Sequence, residues 1–223
     1  MPKNNDIANV SQLWGRLEAM ENEGRFKGNG YPDGMCAFPF RLTGQGFFPG
    51  GDGLWRNDGE LSQKGNGVLR QGGTVFLAND FGVLKTYRKL GKKGFENVPT
   101  WRHIKLRAIG AGIPTELTFF TNAIMGLRID GTALTQRSWQ KMPGFPSFCE
   151  EFLGYQLDAL KPRLTVVMGA HAKAAFDSLA DKRAAGHVLY TTHPYADYSF
   201  SEQRRAVDIA ELKAAWQRAG TAD

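Results

Sequence analysis

The sequence is poor in cysteine, in histidine and in long apolar runs. Two cysteines, Cys36 and Cys149, occur in 223 residues. They lie far apart, which argues against a disulfide framework and rules out a four-cysteine cluster within one chain. There are four histidines, and no His/Cys/Asp spacing resembles a zinc site. No metal site is therefore expected; no cofactor is expected either. No leader-like segment and no run of about 18 apolar residues is found. A membrane span is not expected, and a reducing cytoplasm is the expected setting. Internal repeats and low-complexity blocks are also missing.

What is present suits one large α/β domain with an elaboration. Hydrophobic residues make up 42%, enough for a sizeable core. Net charge is +6 and the sequence pI is about 9.4, which weakly favours a polyanionic partner such as nucleic acid.

Four short apolar runs carry most of the structural information. They are Thr74–Asp80, Leu117–Asn122, Leu164–Gly169 and His187–Pro194, with strands expected over 74–79, 116–122, 164–169 and 187–192. Near-continuous apolar runs suit strands buried on both faces of a parallel sheet. Helical patterns over 98–110, 147–160, 170–181 and 202–218 alternate with them, which predicts parallel strands with right-handed crossovers. Helix 147–160 has Ser147 as candidate N-cap, Glu150 completing a capping box, and Phe148, Phe152, Leu153, Leu157 and Leu160 on one face. The last helix is expected to turn Val207, Ala210, Leu212 and Trp216 inward. An earlier helix over 9–22 has Ser11 as candidate N-cap and Leu13, Trp14, Leu17 and Met20 at helical spacing. Residues 1–73 form a glycine- and aromatic-rich elaboration ahead of a core over 74–218. Its glycine-rich portion is either a long ordered excursion over the core or a mobile arm.

In open α/β sheets, ligands bind beyond the carboxyl ends of the strands. Asp80, Asn122, Gly169 and His193 should therefore converge. Asp80, beside Asn79 and followed by Phe81 and Gly82, is either a functional carboxylate or the cap of a turn. Asn122 offers a donor and an acceptor, matching the edge of an amide-like base such as uracil, or else bonds its own turn. His193, followed by Pro194, is placed to donate to an oxygen that gains charge, or is structural. Gly169 and Ala170 open a helix directly after a strand, leaving room for an anion at its free N–H groups. His171 in that first turn is a candidate phosphate contact; His103 reads as structural.

The segment Val83–Arg107 is the most basic. It holds Lys85, Arg88, Lys89, Lys92, Lys93, Arg102, Lys105 and Arg107 against Glu96, with Tyr87, Phe95 and Trp101 interleaved. Cations for phosphates and aromatic faces for bases suit nucleic-acid binding. A solvated helix face with core aromatics is the alternative.

Several motifs, in order, resemble the uracil-DNA glycosylase superfamily. "LANDFG" stands where that superfamily has a loop of the type G-Q-D-P-Y. "FFTNAIMGLR" resembles the T-N-x-V-K-C-R segment of its iron–sulfur branch. "CEEFLGYQLDALKPRLTVVMGAHAKAAF" resembles that branch's helix, turn, strand and helix start. "THPYADYS" stands at the H-P-S loop. The chain departs from the pattern at Phe81, where the superfamily has proline, and at Tyr195-Ala196-Asp197. Cys149 matches one cluster ligand, but the other ligands are missing, so no cluster is expected.

The resemblance covers about residues 70–215. It implies a three-layer α/β/α sandwich around a four-stranded, mainly parallel sheet. It also implies a DNA glycosylase that hydrolyses the N-glycosidic bond of uracil, or another deaminated or damaged base, after flipping it out of the stack. Asp80 would position water and stabilise the sugar cation, and His193 the departing base. Asn122 would read the base edge and Phe95 would stack on it, with Asn79, Phe81 and Gly82 beside them. Arg128, Gly169, Ala170, His171, Lys85, Arg88, Lys92, Lys93, Pro194 and Tyr195 would contact DNA. A monomer acting on DNA is expected. Two alternatives remain: an inactive relative that binds nucleic acid, and an enzyme acting on a small nucleotide.

Overall fold

A computed structural model describes residues 9–23, 30–42, 46–55, 67, 69–93, 98–130, 144–194 and 202–220. Phe95 and Tyr195 lie outside the described residues, as do the side chains of Lys92 and Lys93. The elements run α1 (Val10–Asn22), β1 (Met35–Cys36), β2 (Thr74–Ala78), α2 (Leu84–Lys93), α3 (Pro99–Gly110), β3 (Thr118–Asn122), β4 (Leu127–Arg128), α4 (Phe145–Leu160), β5 (Leu164–Met168), α5 (Gly169–Asp177), β6 (His187–Thr191) and α6 (Glu202–Gly220).

The main sheet is parallel, in the order β3-β2-β5-β6. Every residue of β2, β3 and β5 is buried, while the edge strand β6 is partly exposed. Helices cover both faces, as an α/β/α sandwich requires. Val75, Leu77, Phe119 and Val167 pack with α1, α4 and α5. Phe76, Ala78, Phe120, Val166 and Met168 pack with α3 and α6. Crossover handedness explains the layering. The connection from β2 to β3 and the connections from β3 to β5 and β6 move in opposite directions across the sheet, so right-handed crossovers put their helices on opposite faces.

The sequence located all four strands but misplaced several helix features. α1 is capped by Asn9, not Ser11: the Asn9 side chain accepts from the Gln12 N–H and the Gln12 side chain from the Asn9 N–H, each at 2.8 Å. α4 begins at Phe145 with Gly144 at its cap, which puts Ser147 inside the first turn. Glu150 accepts from the Ala180 N–H at 3.1 Å instead of closing a capping box. α5 ends at Asp177, short of the expected 181. α2 was missed, because its charges masked an inward face of Leu84, Tyr87 and Leu90. In α6, Val207 and Ala210 face solvent, and Asp208 is buried with Leu212, Ala215 and Trp216. The helix is rotated because Asp208 pairs with buried Arg107, a partnership invisible to hydropathy.

Part of the glycine-rich elaboration is ordered over the core. Residues 46–55 lie along the free edge of β3. The Phe48 N–H donates to the Phe120 carbonyl, and the Phe120 N–H to the Gly53 carbonyl, each at 2.8 Å. This segment covers an edge that would otherwise offer unpaired backbone groups.

Candidate functional site

Parallel register levels the strand ends. Ala78 pairs with Asn122, and Met168 with Thr191, so the loops after these residues start at one edge of the sheet. A cavity of about 460 Å³ lies there, and Asp80, Asn122 and His193 all line it. The convergence expected from sequence is met for these three residues.

Asp80 is both a turn cap and a cavity residue. Its Oδ1 accepts from the Gly82 N–H at 2.7 Å, and Gly82 has φ +97. Its Oδ2 accepts from Asn79 Nδ2 at 2.7 Å, and Arg128 Nε stands 3.4 Å from Oδ1. The carboxylate is thus fixed from three directions. Asn79 Oδ1 is buried in the cavity wall without a hydrogen bond among the described residues.

Asn122 is 1% exposed. It does not bond its own turn: Nδ2 donates to the Phe48 carbonyl at 3.3 Å, so the segment covering β3 orients the amide. His193 is half-buried and Pro194 buried. Gly169 has φ +86, and a Cβ there would stand 3.0 Å from the Cβ of His193. The room left by this glycine is taken by the histidine. Ala170 and His171 are exposed in the first turn of α5, and His171 also lines the cavity.

Of the aromatic walls, Phe47 was not found from sequence. Phe47 and Trp101 line the cavity, with ring centroids 5.9 Å apart. Phe47 has a glycine on one side and lies in a glycine-rich segment, which permits close approach, but nothing local says where that segment lands. Trp101, a candidate face for bases or else a core aromatic by sequence, is both buried and part of the cavity wall. Phe81 packs edge-on to Phe38 and Tyr87 at 5.9 and 5.3 Å. Thr86 and Leu90 bring α2 to the cavity.

The basic segment divides. Lys85, Arg88 and Lys89 on α2, and Arg102 and Lys105 on α3, are exposed. Arg107 is not a surface cation: it is buried against Asp208. Tyr87 is a core residue whose hydroxyl donates to the Phe40 carbonyl at 2.5 Å, so it is not a face for bases.

Cys149 is a core thiol. Burial pushes it up to about 12, and its Sγ accepts from the Met125 N–H at 3.4 Å. Among the described residues, no group of three or more His, Cys, Asp or Glu is disposed to hold a metal ion. Nor is any described helix long and apolar enough to cross a membrane.

Fold and site together define an α/β/α protein with a polar and aromatic cavity at the carboxyl ends of a parallel sheet. No family model matches the chain, and no curated protein matches it.

Proposed function

We propose that this protein is a DNA base-excision glycosylase of the uracil-DNA glycosylase type. The observation that carries the reading is the meeting of Asp80, Asn122 and His193, from three separate strand ends, around one cavity. The chemistry needs three such groups. A carboxylate at the sugar stabilises positive charge as the glycosidic bond breaks and orients the attacking water. A neutral amide recognises the imide edge of the base by donating and accepting at once. A donor at the base oxygen stabilises the departing anion. Asp80, Asn122 and His193 fill these roles in that order. Asn79 Oδ1 supplies a further acceptor for a base N–H. Phe47 and Trp101 supply apolar walls that desolvate the flipped base. The exposed cations of α2, next to the cavity through Thr86 and Leu90, suit the flanking phosphates.

The test incubates the protein with oligonucleotides containing uracil, hypoxanthine or a thymine mismatch, followed by alkali. Strand scission at the modified position is expected for at least one of them. No scission on any of the three would overturn the reading.

One observation favours a second reading. Both oxygens of Asp80 already have partners in Asn79, Gly82 and Arg128, as suits a relative that binds nucleic acid without chemistry. Such a protein would hold uracil-containing DNA in a salt-dependent way and release no base.

A further inference from the structure

β6 is an edge of the sheet, partly exposed along its length, and no strand lies beyond it among the described residues. The residue that follows it, Thr192, is held by buried charge instead. Arg107 of α3 donates through Nη1 to the Thr192 carbonyl and through Nη2 to the Thr192 hydroxyl, each at 3.2 Å. The same Nη2 donates to Asp208 Oδ2 on α6 at 3.1 Å, and the Thr192 hydroxyl lies 3.4 Å from that oxygen. Arg204 stands 3.3 Å from the other carboxylate oxygen. The side chains of Arg107 and Asp208 are 8% and 2% exposed.

A buried ion pair seldom adds stability over an apolar pair of equal volume, because both charges give up water. What it does here is fix geometry. Guanidinium is planar, with its donors in a rigid fork. Two bonds from that fork to one residue set both the position of Thr192 and the tilt of its carbonyl. That carbonyl belongs to the peptide leading into His193. From the other side, Gly169 leaves the space that the His193 Cβ fills. Arg107 does not itself line the cavity.

We propose that Arg107, anchored by Asp208, is the positioning residue for His193, holding its imidazole where the departing base needs a donor. This rests on the glycosylase reading for what His193 does, though not for where Arg107 holds it.

The test compares wild type with Arg107→Lys, Arg107→Met and Thr192→Val. Single-turnover base release, binding of a uracil-containing oligonucleotide, and the NMR signals of the His193 ring in the free proteins are measured. Arg107→Met should slow base release by about 100-fold, the scale of a small misplacement of a reacting group, with oligonucleotide affinity unchanged. Arg107→Lys keeps the charge but lacks the fork, so it should fold without restoring the rate. Thr192→Val, which loses both hydroxyl contacts but keeps the carbonyl bond to Arg107, should be slowed less. The His193 ring signals should move in each variant. Full base release by folded Arg107→Lys, or unmoved His193 signals in it, would overturn the proposal. Should Arg107→Met not fold, Arg107→Lys and Thr192→Val decide. Should wild type release no base, the glycosylase reading fails, and the His193 signals alone decide whether Arg107 places this residue.

Discussion

The carboxylate of Asp80 stands 3.4 Å from the guanidinium Nε of Arg128, and both side chains line the same cavity. The motifs implied separate tasks for them, the sugar for Asp80 and a phosphate for Arg128. In the structure the two are partners, so an arginine reaching for a phosphate first leaves the carboxylate. Asp80→Asn keeps an oxygen for the Gly82 N–H and hence the turn, but removes the charge. Base release should fall at least 100- to 1000-fold, about 2.7–4 kcal/mol, the scale of one preorganised transition-state contact. Thermal unfolding should change little. Undiminished single-turnover release by this variant would remove Asp80 from the chemistry.

Gly169→Ala combines two strains. The backbone there has φ +86, and the added methyl would meet the His193 Cβ at 3.0 Å. A left-handed conformation in a non-glycine residue costs about 1–3 kcal/mol. Denaturant unfolding should show a loss in that range, and base release should fall further than the folded fraction explains, because His193 must shift. Activity that follows stability alone would show that His193 tolerates the displacement.

Gly50 has no room for a side chain. A Cβ would lie 1.8 Å from Cε2 of Phe81, a wall of the cavity. Gly50→Ala should destabilise by about 1–3 kcal/mol, as overpacking does. Phe81→Leu should relieve part of that cost in the double variant, and a double-mutant cycle reads the coupling. Simple additivity would mean that Phe81 has somewhere else to go.

Glu21 should oppose folding at neutral pH. Burial raises its carboxyl above the ordinary value of 4.5, and the charge of Glu18 adds to this. The hydrogen bond from Tyr31 works against them without cancelling them. The folded state therefore holds the proton more tightly than the unfolded chain. The stabilising contribution is complete below about pH 4.5 and is lost as pH rises through the raised value. Glu21→Gln keeps an acceptor for Tyr31 and removes the titration. Its melting temperature should exceed that of wild type at pH 7.5, with the gap closing at pH 4. A gap independent of pH would assign the effect to something other than Glu21 ionisation.

The exposed cations of α2 should act through phosphates. Lys85→Ala and Arg88→Ala should each weaken oligonucleotide binding at low salt. Each should also reduce the slope of log K against log[salt] by about 0.7–0.9. Wild-type slopes in both variants would locate the phosphate contacts elsewhere.

The sequence by itself determined the parallel sheet and its carboxyl edge. Strands buried on both faces must be apolar or have their polar groups bonded. β2 and β5 are apolar nearly throughout, and β3 sets Phe119 and Phe120 among bonded Thr118, Thr121 and Asn122, so their ends marked Asp80, Asn122 and the start of α5. Helix faces built from aliphatic and aromatic residues were legible too, as in α1 and α4. Tertiary structure decided whatever depends on a distant partner. Asp208 turns inward because Arg107 meets it, and Arg107 leaves the surface for the same reason. Asn122 is aimed by the Phe48 carbonyl, 74 residues away in sequence. Phe47 became a cavity wall because residues 46–55 settled on the free edge of β3. Local patterning records which face of an element is apolar. It does not record which charge pairs across the core, or where a glycine-rich segment comes to rest.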